Sequence, residues 1–161
     1  MREKISYPAM DDPISIRPAT EADARRLAEL SAVLGYPVEA ADMAARLSRL
    51  LVCDDNAVLV AAASGLVVGW IHGADHELLE TGRHCEILGL VVDANHRRGG
   101  AGRRLVAAIE AWAASRGIAQ MAVRSNVVRL ESHPFYERLG YSCVKTQHSY
   151  RKSIEPRATR T

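Results

Sequence analysis

The sequence is poor in cysteine and in excess charge. Its three cysteines, Cys53, Cys85 and Cys143, are odd in number and widely spaced, which argues against a disulfide framework and fits a reducing cytoplasm. A formal net charge of only +2 gives no reason to expect a nucleic-acid-binding protein. We therefore expect a cytoplasmic protein that has no nucleic-acid partner.

Long apolar runs are missing as well. No stretch approaches the ~18 consecutive apolar residues of a membrane-spanning helix, and residues 1–13 lack the apolar segment of a secretory signal peptide. His72, His76 and His84 match no standard metal-ligand spacing. We expect neither membrane attachment nor a signal peptide nor a bound metal.

The remaining composition is typical of one globular domain. At 161 residues the chain is long enough to bury a core of its own. We assign residues 14–154 to a single domain, with a flexible tail at residues 1–13 and a frayed, polar tail at residues 155–161.

The hydrophobic pattern predicts helices mixed with strands. A first helix should follow a capping box made by Thr20 and Asp23. Further helices are expected at about residues 38–51, at 101–116 and in a short stretch ending at 135–141. Strands are expected at residues 14–17, 57–63, 66–73, 84–92, 118–123, 142–145 and 148–152.

This order of elements indicates an α/β fold with a crossover helix inside a largely antiparallel sheet. The strand at residues 84–92 is nearly continuously apolar, which predicts a central strand covered on both faces. Residues 73–83 are interpreted as an irregular connection. Three of its residues are acidic: Asp75, Glu77 and Glu80.

A basic, glycine-rich turn follows the strand at residues 84–92, and a helix starts directly after it. Glycines let a backbone approach a ligand closely, and a helix N-terminus favours bound phosphate. The turn is neither a P-loop nor a dinucleotide fingerprint, because the residues that define those motifs are missing. A merely solvated, charged turn is the alternative.

Three ordered blocks resemble the GNAT superfamily of N-acetyltransferases. The turn has the family's spacing Arg97-x-x-Gly100-x-Gly102, Asn126 follows the next strand, and Phe135-Tyr136 opens a block that ends in Gly140-Tyr141. The resemblance implies a strongly twisted, mostly antiparallel mixed sheet in which the fourth and fifth strands are parallel and splay apart, with helices on both faces. It also implies that acetyl-CoA is the cosubstrate.

The resemblance implies which residues hold acetyl-CoA. The splay would free backbone groups of the fourth strand for the pantetheine arm and for the developing oxyanion, the turn would bind the pyrophosphate, and the asparagine would contact pantetheine. The expected cofactor-binding residues are Leu90, Val91, Val92, Arg97, Arg98, Gly99, Gly100, Ala101, Gly102, Arg103, Asn126 and Tyr136.

Two residues are candidates for proton transfer. Glu86 is the carboxylate inside an apolar strand, and burial would suit it to act as a base. The alternative is that it lies at an exposed strand start or pairs with an arginine. Tyr136 matches the family tyrosine that acts as general acid at the CoA sulfur, with core packing beside Phe135 as its alternative. Pro134 is tolerated if Ser132 caps this helix.

The expected reaction is transfer of acetyl from acetyl-CoA to a primary amine of a small molecule, by direct attack in a ternary complex. Asn126-Val127-x-Arg129 followed by Ser132-His133-x-Phe135-Tyr136 also resembles aminoalkylphosphonate N-acetyltransferases, and some aminoglycoside N-acetyltransferases share the broader pattern. The acidic residues of the 73–83 segment favour a cationic acceptor. A protein or peptide N-acetyltransferase and a non-catalytic CoA-binding sensor remain open. A homodimer is possible.

Overall fold

A computed structural model describes residues 13–156. The tails predicted at residues 1–13 and 155–161 lie almost wholly outside these described residues. The chain divides into two compact units, Met1–Arg124 and Ser125–Thr161, each with elements of its own. The single domain at residues 14–154 therefore stays a prediction.

The first unit is built on a five-stranded sheet with the order β1-β2-β3-β4-β5. The first four strands pair antiparallel, whereas β4 and β5 are parallel. This confirms the predicted mixed sheet. The strands are β1 (Ser15–Pro18), β2 (Asn56–Ala63), β3 (Leu66–Leu78), β4 (Gly82–Val92) and β5 (Met121–Val123).

Helices pack on the sheet and bury its apolar side chains. Leu27 of α1 (Ala24–Val33) and Leu47 of α2 (Ala40–Leu51) join Val58 of β2 in one buried cluster. Because apolar burial scales with the area removed from water, these contacts are a main source of stability.

The crossover helix α3 (Ala101–Ser115) covers the opposite face of the sheet. Val58 pairs in register with His72, and the next residue on β3, Gly73, points the other way because side chains alternate along a strand. A Cβ atom added to Gly73 would lie only 3.0 Å from Ile109 of α3. The sheet therefore has α1 and α2 on one face and α3 on the other, as predicted.

Arginine side chains at both ends of α3 bond to other segments of the first unit. At its first turn, Arg104 donates to the carbonyl of Ile14 at 2.6 Å. At its C-terminal end, Arg116 donates to Asp55 and to Asp75, each at 3.1 Å. The helix stops where Gly117 adopts a φ of 73°, a left-handed conformation that favours glycine.

The irregular connection predicted at residues 73–83 is wrong. β3 continues to Leu78 and β4 begins at Gly82, so only residues 79–81 connect them. The polar side chains that suggested a loop are satisfied between the strands, since Arg83 donates to both oxygens of Asp75 at 2.7 and 3.0 Å. Glu77 lies on β3 and Glu80 in the short turn.

Two further predictions on strands need correction. Leu88 of β4 is 48% exposed, so the strand is not covered along its whole length. No strand follows β5 within residues 13–156, and residues 142–156 are exposed, so the strands predicted at 142–145 and 148–152 are wrong. A strand needs a paired neighbour for its backbone groups, and exposed backbone bonds to water instead.

No helix of the described chain is long and apolar enough to cross a membrane.

Candidate active site

The paired part of β4 and β5 is short. Their register covers only residues 85–87 of β4, and within residues 13–156 no strand pairs with the rest of β4, up to Val92, on that side. Leu88 has no partner on β3, because Ile87 and Gly89 pair with consecutive β3 residues. This bulge bends β4 at the point where β5 ends.

Two residues of β4 direct backbone groups to the side that β5 leaves open. The N–H of Asp93 donates to the carbonyl of Val68 on β3 at 2.7 Å, so the carbonyl of the preceding Val92 points away from β3. Backbone groups alternate along an antiparallel strand, so those of Leu90 also point away and those of Val91 face β3. Of the three residues predicted to offer backbone groups to pantetheine, Leu90 and Val92 direct theirs to the side without β5. The backbone groups of Val91 face β3 instead.

The basic turn after β4 forms a 3₁₀ helix, Ala94–Gly99, which passes directly into α3 through Gly100. Gly100 has a φ of 79°, and no side chain of the described residues caps the first turn of α3. The first backbone N–H groups of a helix lack partners within it, and Arg97 and Arg98 are exposed beside them. The turn thus has free donors and positive charge for an anion.

Asp93 fixes the start of this turn. Its Oδ1 accepts the N–H of Asn95 at 3.0 Å, and its Oδ2 accepts Nη2 of Arg26 at 2.6 Å. The Asn95 N–H first, and then Arg26, lower the pKa of the Asp93 carboxyl below its usual value. Sequence reasoning missed both residues: an aspartate before a turn is a recognisable capping signal, but nothing marked Arg26 as its partner.

Glu86 is buried, with 4% of its surface exposed. Nε and Nη2 of Arg124 donate to its two carboxylate oxygens at 2.6 and 3.0 Å. This bidentate bond raises the pKa of Arg124. The structure therefore shows the alternative in which an arginine pairs with Glu86, and the base role stays a prediction that now requires this pair to open.

Histidines share the sheet face of Glu86. The ring of His72 lies 2.8 Å from Oδ1 of Asn56, and the rings of His76 and His84 stack at 5.9 Å. Burial, and then the neighbouring His76, lower the pKa of His72, so it stays neutral near pH 7. In the part of the chain that the structure describes, no group of three or more His, Cys, Asp or Glu residues could hold a metal ion.

The second unit contains α4 (Ser132–Arg138), which carries Tyr136. Pro134 is the third residue of this helix, within the first turn where a missing N–H is tolerated. Ser132 is the first helical residue rather than the predicted cap. The short helix is as expected.

Tyr136 is held by aromatic neighbours of its own unit. Its ring makes edge contacts with Phe135 and Tyr141 at centroid distances of 5.1 and 5.6 Å. Burial raises the pKa of the Tyr136 phenol, and Arg129 opposes this effect. The hydroxyl is therefore protonated at neutral pH, as a general acid must be.

Asn126 shapes the loop before α4. Its Oδ1 accepts the N–H of Val128 at 3.1 Å, and its carbonyl lies 3.3 Å from Nε2 of His133. These are local turn contacts. These contacts give Asn126 and His133 a structural role in the loop. The contact of Asn126 with pantetheine stays a prediction.

Comparison with known proteins decides the family. The model of the "Acetyltransferase (GNAT) family" matches residues 23–141. An aminoglycoside N(6')-acetyltransferase type 1 of Stenotrophomonas maltophilia is 30% identical over 149 residues, which cover 89% of this chain and 96% of that protein. The chain belongs to the GNAT family. It is therefore an acetyl-CoA-dependent N-acetyltransferase.

Solved structures show the same GNAT fold. A transcriptional regulator from Bacillus halodurans superimposes with a TM-score of 0.80 at 21% identity, covering 87% of this chain and 100% of its own. The aminoglycoside N-acetyltransferase AAC(6')-Iy in complex with CoA gives a TM-score of 0.79 at 20% identity, covering 88% and 96%. Identities this low support the fold alone.

The GNAT chain has one deeply buried thiol and two exposed ones among its described residues. Cys85 is fully buried, and burial raises its pKa to about 11, whereas Cys53 and Cys143 are exposed. We expect a thiol reagent at pH 8 to modify Cys53 and Cys143 rapidly in the folded protein. Cys85 should react only upon unfolding, since the thiolate is the reactive form. Mass spectrometry of the labelled peptides checks this; rapid labelling of Cys85 in the folded protein would contradict it.

Proposed function

We propose that this enzyme acetylates a primary amine of a small cationic molecule of the aminoglycoside type, by direct attack on acetyl-CoA in a ternary complex. The observation that carries the proposal is the 30% identity to an aminoglycoside N(6')-acetyltransferase across 96% of that protein's length. The acidic segment that first suggested a cationic acceptor contributes less, because Asp75 is neutralised by Arg83 and Arg116.

The donor half of the proposed site uses the β4 edge and the turn after it. Leu90 and Val92 would offer backbone groups to the pantetheine arm. The amides from Arg98 to Arg103 would surround the pyrophosphate, where a helix N-terminus stabilises negative charge. Free amide donors and the left-handed Gly100 at the start of α3 support this placement.

The transfer itself needs two proton movements. The ammonium group of the acceptor loses a proton before it attacks the thioester carbon, either to Glu86 or through a water molecule. The C–S bond then breaks, and the thiolate takes a proton from the Tyr136 hydroxyl. Burial raises the pKa of Tyr136, which supports the acid role. Glu86 would serve as base once Arg124 has moved away.

A panel of amines tests the acceptor class. Purified enzyme is given acetyl-CoA and one candidate amine, and free thiol is measured as CoA is released. We expect turnover with aminoglycosides that carry a 6'-amine and none with otherwise identical compounds that have a 6'-hydroxyl. Aminoalkylphosphonates and peptides with free N-termini complete the panel. Selective turnover of peptides would identify a peptide N-acetyltransferase, and no turnover above hydrolysis with any of these amines would contradict the proposed acceptor class.

A matched pair of glycine variants tests the donor half. Gly100 and Gly117 lie at opposite ends of α3, have φ values of 79° and 73°, and have open space at the Cβ position. An alanine therefore meets a similar backbone cost at either position. We expect Gly100→Ala to raise the KM for acetyl-CoA about tenfold, because misdirected amides lose hydrogen bonds to phosphate, and Gly117→Ala to leave it unchanged.

Equal KM values of the two variants for acetyl-CoA would show that the turn does not contribute to acetyl-CoA binding. Thermal unfolding of both proteins supplies the control, since a similar loss of stability in each shows that the difference in KM is local.

A further inference from the structure

Arg26 makes contacts that an ordinary surface arginine on a helix does not make. It lies on α1, 67 residues before Asp93, and its Nη2 donates to Oδ2 of Asp93 at 2.6 Å. Its Nε donates to the backbone carbonyl of Val67 on β3 at 2.9 Å. The remaining Nη1 donates to Glu29 of the same helix at 3.0 Å. One guanidinium thus joins three separate parts of the first unit.

The bond to Asp93 reaches the first residues of the basic turn. The same carboxylate caps the turn by accepting the N–H of Asn95 at 3.0 Å, and the N–H of His96 bonds to the Asp93 carbonyl at 2.9 Å. Asp93 itself is anchored to β3 through Val68. Any movement of the turn away from the sheet would therefore break a charge-assisted hydrogen bond, the stronger kind of hydrogen bond in proteins.

We infer that Arg26 is a positioning residue for the acetyl-CoA turn: through Asp93 it holds the 3₁₀ helix Ala94–Gly99 in the conformation that binds the cofactor's phosphates. The inference rests on the phosphate-binding role proposed for this turn. Arg26 acts through Asp93 and touches no reacting atom. It raises the fraction of molecules in which the turn has the conformation that binds CoA, and this fraction sets the apparent Kd for CoA.

A neighbouring arginine provides a matched control. Arg25 precedes Arg26 on α1 and also pairs with Glu29, at 3.5 Å, but its side chain is 87% exposed. Replacing either arginine by glutamine removes one positive charge and one contact to Glu29, at similar helix propensity. Only Arg26→Gln also removes the bonds to Asp93 and Val67.

The first experiment follows the turn without ligand. Hydrogen–deuterium exchange is measured at the amides of Asn95 and His96 in the wild type and in both variants. We expect exchange about tenfold faster in Arg26→Gln and unchanged in Arg25→Gln, as a looser local structure opens more often. Unchanged exchange in Arg26→Gln would overturn the inference whatever the cofactor does.

The second experiment measures CoA binding by isothermal titration calorimetry. If the competent turn falls to about one tenth of the population, the Kd of Arg26→Gln for CoA rises about tenfold. Arg26→Lys keeps a cation near Asp93 and should recover part of the affinity. Thermal unfolding of each variant shows that a weakened Kd comes from folded protein.

The two experiments separate failure of the inference from failure of the proposed site. If Gly100→Ala weakens CoA binding while Arg26→Gln loosens the turn without effect on the Kd, the inference is wrong and the site stands. If neither variant changes the Kd, the turn does not bind CoA, and the proposed site and the inference fall together.

Discussion

The Tyr136→Phe variant is expected to lower kcat about 100-fold, the lower end of what a positioned general acid contributes. The substitution removes only the hydroxyl, so the ring contacts with Phe135 and Tyr141 remain. Because the proton is needed when the C–S bond breaks, the KM for acetyl-CoA should change little. Steady-state rates with a saturating amine from the panel give both constants.

The pH profile provides an independent signature of this acid. Burial raises the pKa of Tyr136 above the ordinary value of 10.0, so the wild type stays protonated through neutral pH and loses activity on an alkaline limb above that value. The variant should lack this limb. Tyr150, which is 90% exposed, gives the control variant Tyr150→Phe with unchanged kcat. An unaltered kcat in Tyr136→Phe would assign the tyrosine to packing.

Removing Arg124 is expected to destabilise the folded protein by about 2 kcal/mol, because the buried Glu86 loses both of its donors. Fully buried pairs lose roughly 3–5 kcal/mol when broken. The smaller value is expected here since 75% of the Arg124 side chain is exposed and water can reach part of the gap. Urea unfolding of Arg124→Ala at pH 7.5 measures the change in the free energy of unfolding.

A double-mutant cycle shows whether the loss comes from the pair. In a Glu86→Gln background the buried group is a neutral amide, which loses less free energy than a carboxylate when the arginine is absent. Arg124→Ala should therefore lower the free energy of unfolding by about 1 kcal/mol less in that background. Arg25→Ala breaks an exposed pair with Glu29 and should cost below about 0.5 kcal/mol. The same cost for Arg124→Ala in both backgrounds would show that the two residues are not coupled.

The sheet was predictable wherever local signals decide its course. The strands predicted at residues 57–63 and 66–73 are present as β2 and β3, joined at Ser64–Gly65, and the apolar run at residues 84–92 is a strand. The segment around Asp75 was not recognisable as a strand, because its polarity is balanced by Arg83 and Arg116, which become neighbours only once the chain has folded. Polar pairs between distant residues leave no periodic pattern.

The site shows the same division between local and long-range information. The spacing of Arg97, Gly100 and Gly102 marked the turn, and α3 begins beside it. The partner of Glu86 could not be named, since its contact with Arg124 depends on the parallel register between β4 and β5. Arg26 was missed because 67 residues separate it from Asp93.

The attachment of α3 at both ends limits where this molecule can adapt. Arg104 holds its first turn to Ile14, and Arg116 holds its last to Asp55 and Asp75. A helix anchored in this way cannot slide or tilt as a rigid body without breaking the hydrogen bond to Ile14 or the ion pairs of Arg116. Arg26 and Asp93 hold the adjoining segment Ala94–Gly99 in the same way, so we expect a preorganised phosphate site that loses little conformational entropy when a nucleotide arrives.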